Sequence, residues 1–141
     1  MKIKLGIIGY GGMGKWHAEN APRAGVEIAA VCDIDEVKQK EAVDAGFKMY
    51  QTAEELLKDP EVNTVILTVP NYLHKEMCVK AAKAGKNVIT EKPAALNVQE
   101  LDEMEAACKE AGVFFTSHQN RRWDKDMLIV KKAYDEGMLG N

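Results

Sequence analysis

The chain has 141 residues, with 19 Lys or Arg and 22 Asp or Glu, for a net charge of −3. Its 46% hydrophobic and 29% charged residues are those of an ordinary globule, which excludes disordered, collagenous and fibrous chains. The mild acidity speaks against nucleic acid, which is bound by an excess of Lys and Arg. A chain of this length buries about two-thirds of its unfolded surface, enough for one core without metal or disulfide staples. The longest uninterrupted apolar run, Ile28–Cys32, falls far short of the roughly 20 residues of a membrane-spanning helix. Gly6, Gly9, Gly11 and Gly12 break the apolar N-terminus, and no leader cleavage site follows. The expected location is cytoplasmic. Cys32, Cys78 and Cys108 are odd in number and show no C-x-x-C spacing, so they read as reduced core thiols. No metal ligands are expected.

Strand and helix signals alternate along the chain. Lys2–Gly9 is a β-type run and Gly11–Ala21 a helix, which Pro22 stops by disfavouring helical backbone in the residue before it. Val26–Asp33 is the second strand. Asp35–Ala45 is helical, and Gly46 closes it. Lys48–Gln51 is a short third strand. Thr52, with Glu55 three residues on, caps a brief helix that Asp59-Pro60 ends. Asn63–Val69 is the fourth strand, its Val65-Ile66-Leu67 run reading as buried on both faces. Tyr72–Ala84 is helical and closes at Gly85. Asn87–Thr90 is the fifth strand. Asn97 and Glu100 form a second capping pair. The helix they open sets Leu101, Met104, Cys108 and Ala111 at helical spacing before Gly112. Val113–Ser117 is the sixth strand, and a last helix runs over Asp124–Glu136 to Gly137. Strands joined by helical crossovers pair in parallel. Right-handed crossovers wind the six into a doubly wound α/β sheet, a Rossmann fold with helices on both faces. Its ligand lies outside the carboxyl ends of the strands.

Gly9-Tyr10-Gly11-Gly12-Met13-Gly14 holds G-x-G-x-x-G between a strand and a helix. Gly9 permits the tight turn, Gly11 lets backbone approach a pyrophosphate, and Gly14 brings helix close to strand. The helix start offers unpaired N–H groups to the phosphate. Gly14, Ala18 and Ala21 make one small face of that helix, and Lys15, Glu19 and Arg23 a solvated one. Asp33 ends the second strand 19 residues beyond Gly14, the distance of a carboxylate that accepts from an adenosine ribose. Ile34 can pack on the adenine. Asp35 and Glu36 follow, where a 2′-phosphate would need a cation. The expected cofactor is therefore NAD rather than NADP.

Three strand ends carry polar, cationic and aromatic residues. They are Thr68-Val69-Pro70-Asn71-Tyr72-Leu73-His74, Thr90-Glu91-Lys92-Pro93 and His118-Gln119-Asn120-Arg121-Arg122-Trp123. Together with the glycine loop and His17-Ala18, these residues resemble the Gfo/Idh/MocA family, named after glucose–fructose oxidoreductase and inositol dehydrogenase. The Glu91-Lys92-Pro93 triplet is the most specific part, and the resemblance covers essentially the whole chain. It implies an oxidoreductase acting on a carbon–oxygen bond of a sugar, cyclitol or related small molecule with NAD(P). Lys92 then resembles the lysine that reaches the substrate hydroxyl and the nicotinamide ribose, where its cation stabilises a developing alkoxide. Glu91 is its partner and Pro93 directs its backbone, and the resemblance implies that both lie with Lys92 against the cofactor. Thr68, Pro70 and Asn71 resemble cofactor contacts near the nicotinamide. His74 takes either a cofactor-side or a core and capping role. His17 either hydrogen-bonds near the site or packs on the sheet. Arg121 points to the substrate side, while Arg122 and Trp123 cover the sheet edge. Family members carry a second α/β domain that shapes the substrate site and usually makes the oligomer. This chain, residues 1–141, reads as the cofactor domain alone, with a homo-oligomer expected of a full-length protein. The competing reading is a non-catalytic NAD(H)-binding redox-sensing module, which has no need of a cation at Lys92.

Overall fold

The computed structural model describes residues 2–140. Strands lie at Lys4–Ile8 (β1), Glu27–Cys32 (β2), Met49–Tyr50 (β3), Thr64–Leu67 (β4), Asn87–Thr90 (β5) and Phe115–Ser117 (β6). Helices lie at Gly12–Asn20 (α1), Glu36–Asp44 (α2), Ala53–Leu57 (α3), His74–Lys83 (α4), Val98–Glu110 (α5) and Lys125–Asp135 (α6). The strands form one parallel sheet in the order β3-β2-β1-β4-β5-β6. The chain builds outward from β1, crosses back, and builds outward again from β4. The direction reverses between β1 and β4, which opens a crevice at their carboxyl ends.

Alternation along the strands supplies both faces. Ile8, Ala30, Cys32, Val65 and Leu67 pack with Leu56 of α3, Cys78 of α4 and Met104 of α5. Leu5, Ile7, Val31 and Ile66 point the other way and pack with Ala18 of α1 and Ala42 of α2. All four residues of β4 are buried, as its apolar run requires of a central strand. The three cysteines are buried thiols. Cys78 and Cys108 lie side by side across α4 and α5, 3.7 Å between sulfurs.

Helix caps follow the sequence closely. Asp35 accepts from the Val37 and Lys38 N–H groups. Thr52 and Glu55 form a reciprocal capping box. Asn97 accepts from Glu100 N–H at 2.9 Å, but the Glu100 carboxylate takes the Leu96 N–H instead of closing a box.

Three boundaries differ from the sequence pattern. Pro22 does not stop the first helix by displacing Ala21, which keeps helical angles. Ala21–Ala24 tightens into a 3₁₀ turn with Pro22 in its opening turn, where a missing N–H costs nothing. The helix expected from Tyr72 is split into a 3₁₀ turn, Asn71–Leu73, and α4 from His74. The sixth strand starts only at Phe115, because Val113 N–H is taken by Cys108 at the end of α5. The last helix also departs from the two-faced expectation: α6 buries no residue. Among the described residues no helix is long and apolar enough to cross a membrane.

Candidate functional site

The β1–α1 turn is shaped by what its glycines touch. Gly9 has φ +98, and a Cβ there would stand 2.8 Å from the Thr68 carbonyl oxygen. A Cβ on Gly14 would clash with the Gly9 carbonyl oxygen. These two glycines are therefore required by packing. Gly11 and Gly12 are different, since a Cβ at either meets nothing within 4 Å. Gly11 is the N-cap of α1, and no side chain caps it. The helix start thus presents bare N–H groups to open space, an arrangement suited to an anion.

Asp33 lies across from this turn. One carboxylate oxygen accepts the Tyr10 N–H at 2.7 Å, and the other accepts the Asp35 N–H at 2.9 Å. Gly9 N–H is bonded to the Cys32 carbonyl, and Thr68 N–H to that of Ile8. The Thr68 hydroxyl also donates to the β1 end, at Ile8 and Gly9. The loops are thus extensions of the sheet ladder.

A crevice of about 370 Å³ opens here. Of the residues singled out in the sequence, Gly9, Gly11, Asp33, Ile34, Thr68 and Pro70 line it. Ile34 is 86% exposed at its rim. Gln51–Glu54, Tyr72, Leu73 and Met77 complete the wall. The sequence pattern noted Tyr72 and Leu73 at a strand end but missed Met77 and the residues Gln51–Glu54. Their signal was the short third strand, whose end must lie beside that of the second. Tyr10 turns its ring inward, packed edge-on to Phe47 at 5.9 Å. Only its backbone faces the turn.

The second cluster follows β5. Glu91 is 5% exposed. Its Oε1 receives hydrogen bonds from His17 Nε2 at 2.7 Å and His118 Nδ1 at 3.0 Å. Its Oε2 receives the Lys92 backbone N–H and the Lys92 ammonium, both at 3.2 Å. Burial alone would raise the Glu91 carboxyl, but the bonds from His17 and Lys92 overcome it and hold the group at about 2. Burial lowers His17, which the Glu91 bond only partly offsets. At neutral pH a neutral imidazole therefore donates to an ionised carboxylate. Lys92 keeps its side chain 44% exposed, and the Lys92–Pro93 peptide is cis.

Other expected residues sit elsewhere. His74 is fully buried. Its Nδ1 faces the Pro93 carbonyl at 2.9 Å and its Nε2 that of Val69 at 3.1 Å. It staples two strand-end loops together from the core side, so the core role is the one its placement fits. Asn71 opens the 3₁₀ turn before α4. Gly12 and Met13 are exposed at the start of α1. Arg121 is paired with Asp124 at 2.7 Å and is not part of the crevice wall. Trp123 is 71% exposed and stacks with Arg122 at 5.6 Å, so it does not cover the sheet edge as expected. His118 heads one of the strand ends noted in the sequence but had no role assigned there, and only the fold brings it to Glu91.

Residues 3–119 match the family model described as "Oxidoreductase family, NAD-binding Rossmann fold". The chain belongs to the Gfo/Idh/MocA family. Among Gfo/Idh/MocA relatives, the myo-inositol 2-dehydrogenase of Thermotoga maritima is 34% identical over 98% of this chain and 42% of its own length. The scyllo-inositol 2-dehydrogenase (NADP(+)) IolW of Bacillus subtilis is 36% identical over 97% of this chain and 38% of its own. A crystal structure of an NAD-binding protein from Listeria innocua superposes with a TM-score of 0.94 at 38% identity, covering 100% of this chain and 42% of that one. The chain thus spans about two-fifths of the length of such Gfo/Idh/MocA relatives.

Proposed function

We propose that this chain is the nucleotide-binding part of an oxidoreductase that moves a hydride between NAD and a sugar, cyclitol or related small alcohol or carbonyl. The observation that carries this reading is the open approach at Gly11 and Gly12 to an uncapped helix start, with Asp33 facing the same crevice. Backbone N–H groups at the start of α1 would hold the pyrophosphate. Asp33 has lone pairs left for a ribose hydroxyl after accepting from Tyr10 and Asp35. Ile34 would pack on the adenine. When bound, NAD supplies the hydride-carrying centre.

Lys92 is the residue proposed to act on the substrate. Its ammonium is tied to buried Glu91 but half exposed, so it can reach a ligand without losing its anchor. There it would hold a substrate oxygen and stabilise negative charge developing on it. Thr68, Pro70 and Asn71 are proposed as the neighbouring cofactor contacts, with Pro93 fixing the direction of Lys92. Arg121 is the weaker candidate for the substrate side, because Asp124 engages it. The relatives' greater length supports a further domain that encloses the substrate and builds a homo-oligomer, in a cytoplasmic protein.

Two measurements test the reading. NADH titrated into the 141-residue chain should bind saturably, and Lys92→Ala should leave that binding within a few-fold. The chain alone should oxidise no inositol or sugar from a broad panel, since substrate positioning can account for about 7–11 kcal/mol of such a barrier. Absence of NADH binding by a folded chain would overturn the nucleotide-binding reading. Turnover by the chain alone that vanishes in Lys92→Ala would show that the substrate site needs nothing further.

A further inference from the structure

We propose that His17, Glu91 and His118 form a binding site for a divalent first-row transition cation. The three side chains come from α1, the end of β5 and the end of β6. Their ligand atoms lie within 4.8 Å of one another. Two imidazole nitrogens and one carboxylate oxygen are a donor set that zinc and its neighbours accept. Metal–ligand bonds of about 2.0–2.2 Å in a tetrahedron place ligand atoms about 3.3 Å apart. The Glu91 oxygen now stands 2.7 Å from His17 Nε2 and 3.0 Å from His118 Nδ1. To admit an ion, the Glu91 oxygen would draw back about 0.3–0.6 Å from each nitrogen, and the two nitrogens, within 4.8 Å of each other, would settle to the same spacing.

The chemistry of the cluster fits the same conclusion. His17 and Glu91 have side chains 7% exposed, so their ligand atoms are held in place. An imidazole binds a metal through one ring nitrogen while the other carries its proton. His17 Nδ1 and His118 Nε2 have no hydrogen-bond partner among the described residues, and each can carry that proton. His118 is the accessible edge, at 26% exposure, and a fourth position there is left for water. Lys92 is the opposing charge, 3.2 Å from the other Glu91 oxygen. Being half exposed, its ammonium can swing to solvent when a dication arrives. The site does not depend on dinucleotide binding, but an ion in it would compete with Lys92 for Glu91.

Trp16 offers a direct readout. Its ring lies 5.2 Å from that of His17 and 6.3 Å from that of His118. Trp123→Phe leaves Trp16 as the one tryptophan of the chain. In that background, chelator-treated protein titrated with cobalt(II) should show saturable quenching at one ion per chain, reversed by zinc(II). His118→Ala should weaken the affinity roughly tenfold or more, and His118→Gln provides a second variant if the first loses its fold by circular dichroism. Absence of saturable quenching at millimolar cobalt, or unchanged affinity in the folded His118 variant, would overturn the site. The cluster would then be a hydrogen-bond network and nothing more.

Discussion

The Tyr10 N–H donates to the Asp33 carboxylate at 2.7 Å, tying the glycine turn to the end of β2. Asp33 therefore shapes the crevice as well as facing it. Replacing it tests two things at once, the turn and the proposed ribose contact. Ile34 separates them, since it is at the crevice rim and carries no tie. The unaltered chain should bind NADH at least about tenfold more tightly than NADPH, or about 1.4 kcal/mol. Ile34→Arg should narrow that ratio several-fold by pairing with the 2′-phosphate, with the melting temperature unchanged. Asp33→Ser should weaken both dinucleotides. Fluorescence titration checks all three, and tighter NADPH binding by the unaltered chain would defeat the assignment of Asp33.

Gly11 and Gly14 should respond oppositely to the same added methyl. At Gly11 the Cβ meets open space, so Gly11→Ala should keep its melting temperature and lose most NADH affinity. At Gly14 it meets the Gly9 carbonyl, so Gly14→Ala should cost about 1–3 kcal/mol of stability through overpacking. Thermal melts and NADH titration of the two variants form the comparison.

Asp59 should set an acid limit on stability. Its carboxylate is buried and accepts from Glu61 N–H at 2.9 Å, Lys48 at 3.0 Å and the Tyr50 hydroxyl at 3.2 Å. Burial pushes the group up, but these partners hold it below its ordinary 3.8. The folded state thus binds this proton less readily than the unfolded chain. Its contribution is complete above about pH 4 and is lost as the pH falls below that. Asp59→Asn should lower stability at pH 7 and shrink the loss between pH 5 and 3. Urea melts across that range report it, and equal pH dependence in the variant would refute it.

The apolar residues of α6 should drive association. Leu128, Ile129, Val130 and Tyr134 are all exposed, a larger apolar surface than one helix usually shows to water. Sedimentation of the chain should show concentration-dependent self-association. Ile129→Glu should reduce it without changing the melting temperature, because the residue packs against no core.

The order of elements was legible because periodicity, caps and glycines are local signals. Thr52 with Glu55, and Asn97 before α5, could be read from neighbours alone. The glycine loop and Asp33 were legible for a related reason: one βαβ unit contains both. What escaped was contact between distant segments. His17 and His118 meet on Glu91 although 101 residues separate them. Nothing in the sequence around His118 marks it as different from a loop histidine. His74 was open to two readings until its ring nitrogens were seen facing the Val69 and Pro93 carbonyls. The last helix has a clear apolar stripe, but a stripe does not say whether anything covers it.

The close approach of Gly9 to the Thr68 carbonyl has a consequence for recombination. The chain consists of two wound halves, one ending after β3 and the other starting at β4. Their seam is the parallel ladder of β1 with β4, and at its carboxyl end it closes on this contact and on the hydroxyl of Thr68, which donates to the carbonyls of Ile8 and Gly9. A chimera joining one half to the matching half of another protein can vary most of its surface freely. It must keep glycine on one side of the seam and a small hydroxyl residue on the other. A hybrid that alters either would keep the ladder but lose the fit of the two strand ends, and the groove above them would be the first thing disturbed.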